Sequence, residues 1–234
     1  MCGIAGFYNP RENYEKSPLK WRHILNEMNR VQKRRGPDDE GIYLKQGCGL
    51  AHVRLSIIDL MTGHQPMIRK QDSRECSIVF NGEIYNMPEL KKELQEEGAR
   101  FETTSDTEVI LAGYMLHGTD YVKKLNGVFA IALWDSRLKQ LFLFRDRLGV
   151  KPLFYTMAGE TIVFSSEIKG LFQYPGISPS LDQDGLCEIF ALGPAKSYGK
   201  GVFCGVLEVL PGESLCIGRH GCKHDLYWKL ESHP

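Results

Sequence analysis

The spacing of apolar residues changes repeatedly along this chain, and each change marks an element. Gly3–Tyr8 is a short, largely apolar run that predicts a strand almost at the terminus. Trp21, Ile24, Leu25, Met28 and Val31 then recur at helical spacing, behind Ser17 as an N-cap and Pro18 at the first helical position. The polar run Arg34-Arg35-Gly36-Pro37-Asp38-Asp39 breaks that helix. Short strand-like runs follow over residues 41–45, 49–53, 56–59 and 77–80. Asn86, Pro88 and Glu89 open a second helix that carries Leu90 and Leu94 and closes at Gly98. Asp106–His117 is a third, with Val109, Ile110, Ala112 and Met115 on its inner side. Residues 128–135 pair with 140–145 across a short polar turn, and 153–155 with 162–165; Pro211-Gly212 marks a late turn. A few helices among many short strands at hairpin spacing predict an α+β fold with antiparallel sheet. No glycine-rich strand-to-helix turn suggests a dinucleotide-binding unit, and the sequence has no internal repeat.

Composition narrows the function classes. The 234 residues fit one large domain or two small ones, with ample chain for a buried core. Lys plus Arg and Asp plus Glu both number 29, and that balance argues against a phosphate-tracking nucleic-acid surface, though not against a small anion site. The most apolar stretch, residues 128–134, is far too short to span a bilayer, and no secretory signal pattern opens the chain. Cys rather than Gly at position 2 excludes myristoylation. Seven scattered cysteines without close pairing read as reduced thiols, which points to a cytoplasmic protein.

Four places carry candidate chemistry. Removal of Met1 would leave Cys2 with both a thiol, of pKa ~8.5 when free, and an α-amine of pKa ~7.7–8.0, which is partly neutral in the cell. The amine can take the thiol proton and later return it to a leaving group, so nucleophile and base share one residue. By itself, an early cysteine is better explained by chance. Asn81-Gly82-Glu83 offers a side-chain amide and an adjacent backbone N–H to an anionic oxygen. The same Asn-Gly pair also suits a hairpin turn, and taken alone the turn is the simpler reading. Arg54 can hold a carboxylate with two parallel hydrogen bonds, or it can be a surface arginine. Asp106 can pair with an ammonium, or cap the helix that it opens, or do both through different oxygens.

Taken in order, these segments resemble one family. They are Met1-Cys2-Gly3-Ile4-Ala5-Gly6, Arg35-Gly36-Pro37-Asp38, His52-Val53-Arg54-Leu55-Ser56-Ile57-Ile58-Asp59 and Gly63-His64-Gln65-Pro66-Met67. Phe80-Asn81-Gly82-Glu83-Ile84-Tyr85-Asn86, Ser105-Asp106-Thr107-Glu108, Arg145–Leu153 and Phe164-Ser165-Ser166-Glu167 continue the series. The set is similar to the N-terminal glutaminase domain of glutamine-hydrolysing asparagine synthetase, a class II glutamine amidotransferase with an N-terminal-nucleophile hydrolase fold. The resemblance covers nearly the whole chain. It implies a four-layer αββα sandwich with two antiparallel sheets inside. It implies that Cys2 attacks L-glutamine to form a γ-glutamyl thioester, with Asn81 and Gly82 as the oxyanion hole. Arg54 would hold the substrate carboxylate, and Asp106 with the Gly82–Glu83 segment its amino end.

In the family, the released ammonia travels to a C-terminal synthetase domain, where ATP activates aspartate. No Ser-Gly-Gly-x-Asp-Ser pyrophosphate loop occurs here, so that domain is expected to lie outside this chain, along with any ATP or Mg requirement. The whole chain then reads as one amidotransferase domain, with a linker from about residue 229. No metal or cofactor, no nucleic acid and no membrane is expected at the glutaminase site; a homodimer is left open. With Met1 attached, Cys2 has no free amine, so the precursor is expected to be inactive. Two other readings stand beside this one: the glutaminase domain of an amidotransferase with a different acceptor, and a non-catalytic interaction domain of the same fold. Two weaker signals remain. Cys216, His220, Cys222 and His224 cluster without a standard zinc spacing and read as a surface hairpin with Arg219-His220-Gly221 at its tip. The Arg145–Lys151 run suits either a wall of the active site or a structural turn.

Overall fold

The computed structural model describes residues 1–56, 63–193 and 197–232. The chain begins with β1 (Gly3–Tyr8), α1 (Pro18–Gln32), β2 (Asp39–Lys45), β3 (Cys48–Arg54), β4 (Met67–Gln71) and β5 (Arg74–Ile84). Next come α2 (Met87–Glu96), α3 (Asp106–His117), β6 (Gly127–Asp135), β7 (Gln140–Arg145), β8 (Phe154–Ala158) and β9 (Thr161–Ser165). The last elements are α4 (Ile168–Leu171), α5 (Gln183–Leu192), β10 (Leu207–Glu208), β11 (Glu213–Gly218) and β12 (Gly221–Leu226). Among the described residues the strands form two six-stranded sheets, ordered β10-β8-β9-β1-β3-β2 and β12-β11-β7-β6-β5-β4. Every pairing is antiparallel.

Alternation along the central strands explains the layering, because successive side chains point to opposite faces. Ile4 and Tyr8 of β1 join Val79, Ala130, Ala132 and Trp134 in a core between the sheets. Ala5 and Phe7, on the other face of β1, pack against Leu25 and Met28 of α1 and Leu171 of α4. Ile78 and Phe80 of β5, with Ile131 and Leu133 of β6, pack against Leu90 and Leu94 of α2 and Val109–Leu111 of α3. Each sheet is thus buried on both faces, which gives the expected αββα sandwich. No helix of the described residues is long and apolar enough to cross a membrane.

The predicted α1, α3, β6–β7 and β9 form as read, while β8 starts at Phe154 rather than Leu153 and runs on to Ala158. Several expectations change. Residues 77–80 are the middle of the much longer β5, and β4, α4, α5 and β10 had no clear signal in the sequence. Ser56 is not in a strand, and the rest of the predicted run 56–59 lies outside the described residues. Ser17 caps α1 only through its carbonyl, which accepts the Trp21 N–H; its hydroxyl makes no capping bond.

Candidate active site

Cys2 stands at the head of β1, and its backbone is gripped from two sides. The Arg35 guanidinium donates from Nε to the Cys2 carbonyl at 2.8 Å and from Nη1 to Glu167 at 3.3 Å. Ile4 donates to Ser166 Oγ at 3.1 Å, and Ser166 N–H donates back to the Ile4 carbonyl at 2.8 Å. The Cys2 sulfur accepts the Leu55 N–H at 3.4 Å and lies 3.7 Å from the Leu55 carbonyl. Gly36 makes this convergence sterically feasible: a Cβ there would fall 2.4 Å from the Arg54 nitrogen. Arg35, Ser166 and Glu167 belonged to motifs quoted from the sequence, but nothing in their spacing showed that they would clamp Cys2.

The sulfur opens into a cavity of about 120 Å³ lined by Cys2, Arg54, Asn81, Gly82, Glu83 and Asp106, with Met1, Gln65 and Lys151 among its other walls. All six sequence-derived candidates therefore share one space. Two cations, Arg54 and Lys151, and two carboxylates, Glu83 and Asp106, line it, a charge pattern that complements a zwitterion. The volume lies below the ~300–1,000 Å³ of drug-sized sites, which suits something as small as a single amino acid.

Asn81-Gly82 is not a turn. Both residues lie within β5, paired with Ala130 and Phe129 of β6. A Cβ on Gly82 would meet the Val128 carbonyl at 2.2 Å, so the strand's neighbour, not a bend, requires glycine here. Alternation then directs the backbone donors. Phe80 N–H donates to Gln65 Oε1 at 2.6 Å and Ile84 N–H to Asp106 Oδ2 at 3.4 Å. The Gly82 N–H lies between them on the same edge of the strand. Phe129, opposite Gly82, gives its N–H to Asp146 and accepts Asp146 N–H in turn, so it faces away from Gly82. Asn81 is 1% exposed, and its Nδ2 is buried without a hydrogen-bond partner among the described residues. Such a group costs free energy unless a ligand satisfies it.

Asp106 opens α3 but does not cap it. Ser105 is the cap, its hydroxyl accepting the Thr107 N–H at 3.2 Å. Burial pushes the Asp106 carboxyl up to about 6, against the pull of the Ile84 and Thr107 N–H groups. His52 precedes Arg54 by two residues on β3 and is fully buried. Burial drives its imidazole down to about 3, too weak a base for proton transfer near neutrality. No histidine is among the residues lining the cavity.

The Arg145–Lys151 run proves to be both a turn and a wall. Asp146 accepts N–H groups from Leu148, Val150, Lys151 and Phe129, which fixes the turn, while Lys151 reaches the cavity lining. Cys222 and His224 lie on β12, far along the chain from these residues, in the expected hairpin whose tip is Arg219-His220. Among the described residues no group of three or more His, Cys, Asp or Glu side chains could hold a metal ion.

Two stacked antiparallel sheets between helical layers thus place the Cys2 sulfur, at the head of the first strand, in a polar cavity. The glutamine amidotransferase domain family matches residues 1–228, and the chain belongs to that family. It is 40% identical over 232 residues to asparagine synthetase [glutamine-hydrolyzing] 3 of Bacillus subtilis, covering 99% of this chain and 37% of the relative. Asparagine synthetase [glutamine-hydrolyzing] 2 of the same organism is 41% identical over 237 residues, with 99% and 31% covered. The chain thus spans roughly a third of the length of these curated relatives. A solved structure of the allosteric regulatory enzyme of purine biosynthesis superposes with a TM-score of 0.69 at 21% identity, over 97% of this chain and 49% of that one, which shows a shared fold.

Proposed function

We propose that this domain, once Met1 is removed, hydrolyses glutamine to glutamate and ammonia through Cys2, and that the ammonia serves ATP-dependent conversion of aspartate to asparagine by a synthetase domain beyond residue 234. The freed α-amine takes the Cys2 proton, and the sulfur attacks the side-chain carbonyl. The developing oxyanion accepts hydrogen bonds from Asn81 Nδ2 and the Gly82 N–H. The amine returns its proton to the departing nitrogen, and ammonia leaves a γ-glutamyl thioester. Water, deprotonated by the same amine, then attacks the thioester and releases glutamate. Arg54 holds the substrate carboxylate, while Asp106 and the Gly82–Glu83 segment hold its ammonium. The chemistry needs no metal at this cavity; ATP and Mg belong to the synthetase step.

The observation that carries this reading is the buried, unpartnered Asn81 amide in the cavity that also holds the Cys2 sulfur. The lack of a cavity histidine and the weakness of His52 as a base support the α-amine in that role. The test is a glutamate-release assay on Met1-processed protein, unprocessed protein and Cys2→Ala. Release by the processed protein alone is expected. Equal rates from processed protein and Cys2→Ala would refute the mechanism, and turnover with Met1 retained would refute the role of the amine.

A further inference from the structure

On the β11–β12 hairpin, three side chains that the glutaminase reaction does not use stand in a chain. His224 Nδ1 lies 2.7 Å from Glu213 Oε1, and His224 Nε2 lies 3.8 Å from the Cys222 sulfur. Register explains the meeting: Cys222 and His224 sit two apart on β12, on the face shared with Ile217 and Leu215, and Glu213 starts the paired strand. Glu213 is buried, and its other oxygen accepts the Leu210 N–H at 2.6 Å, so the carboxylate is fixed. A contact of 2.7 Å to a carboxylate oxygen requires a proton on Nδ1. In the neutral imidazole Nε2 is then the acceptor, aimed at the thiol.

We propose that Cys222 is a modification site for small disulfides, with His224 as its base and Glu213 as the orienting carboxylate. The step balances. His224 Nε2 takes the Cys222 proton, and the sulfur attacks one sulfur of the incoming disulfide. The S–S bond of the reagent breaks as a new mixed disulfide forms on Cys222. The expelled thiolate takes the proton back from Nε2, so Cys222 is oxidised and one half of the reagent is reduced to thiol. Glu213 stabilises the transient imidazolium, the arrangement of nucleophile, base and orienting group seen in hydrolase triads.

The groups facing the thiol set the size of the effect. Burial, and then Cys216 and Glu213, push the Cys222 thiol up to about 11, so without the imidazole it would be a slow nucleophile. A positioned base contributes about 10²–10⁴. The raised thiol offsets much of that, leaving an advantage on the order of tenfold over an ordinary exposed thiol. Cys222 is exposed, as are Cys187, which serves as the ordinary internal reference, and Cys204, whose thiol Asp182 raises and which serves as a slower one.

The experiment incubates the whole chain with oxidised glutathione and follows each cysteine by peptide mass spectrometry. Cys222 is expected to react about tenfold faster than Cys187, and faster still than Cys204. The exposed substitution His224→Gln should remove that advantage and leave the two reference rates unchanged. Glu213→Gln should reduce it in part. The proposal is overturned if Cys222 reacts no faster than Cys187, or if its lead survives in His224→Gln. Glutamate release by Cys2 is independent of this hairpin, so it reports separately on the active site.

Discussion

Asp135 and Asp106 are both enclosed carboxylates, and the fold treats them in opposite ways. Asp135, at the end of β6, receives Arg74 at 2.7 and 3.0 Å, the Tyr114 hydroxyl at 3.0 Å and the N–H groups of Arg137 and Leu138. Burial alone would raise it, but Arg74, the Leu138 N–H and Tyr114 together bring it below the ordinary value. Asp106, in the cavity, has weaker support, its Ile84 contact being 3.4 Å, and burial wins. The Asn81 amide, without a partner among the described residues, belongs with Asp106. The oxygens of Asp135, which hold the fold together, are saturated, whereas the cavity leaves a weakly held carboxylate and an unpaired amide that a ligand can complete.

The contrast can be broken experimentally. The largest effect is expected at the saturated site. Asp135→Ala takes the partner from a half-buried Arg74 charge and leaves the Tyr114 hydroxyl unpaired, and should cost about 3 kcal/mol of stability, read by denaturant unfolding, with the kcat of the remaining folded protein unchanged. Asn81→Ala should do the reverse. It removes an oxyanion donor, worth about 10²–10³ in kcat, while stability shifts by no more than about 1 kcal/mol because the lost amide had no partner. A large loss of stability without loss of kcat would put Asn81 on the structural side.

Asp106→Asn sharpens the comparison, since function and stability should part. Losing the charged partner of the ammonium should raise KM about tenfold or more. At pH 7 the same change should stabilise the free protein by ~1–2 kcal/mol, less than the whole shift implies because the residue is partly exposed. The signs follow from the two shifts. The raised Asp106 burdens the folded state once pH exceeds its unfolded value near ~3.9, and fully above about 6. Asp135, lowered, stabilises above that unfolded value and loses its contribution as pH falls through its folded one. Accordingly kcat/KM, already falling below ~8 as the α-amine takes up its proton, should fall more steeply below about 6 in the wild type, and Asp106→Asn should remove that added steepness. The smallest effect is expected from Arg54→Lys. Replacing a planar fork by a point charge should raise KM by roughly fivefold with little change in kcat. An unchanged KM would remove Arg54 from the carboxylate role.

Much of this was legible in the chain. Short continuous apolar runs and period-3.6 spacing located the central strands and three helices, because burial on both faces of each sheet leaves an unbroken apolar stretch. The ordered motifs brought Cys2, Arg54, Asn81, Gly82, Glu83 and Asp106 to notice together. Local chemistry misled where a tertiary neighbour overruled it. Asn-Gly reads as a turn, yet the close approach of the Val128 backbone holds Gly82 in a strand. Asp106 reads as a cap, yet Ser105, one residue earlier, takes that bond and leaves the carboxylate to the cavity. The short β4, α4 and β10 carry too few residues to show a period.

By itself, then, the sequence singled out the six candidate residues and determined the two-sided burial of the sheets, since residue type and spacing are properties of the chain. Only the tertiary structure decided which donors are left without partners, how Arg35 and Glu167 grip the first strand, and how far each carboxylate is shifted. Those depend on distances between residues remote in sequence and on how much water the packing excludes, and neither is written in local order.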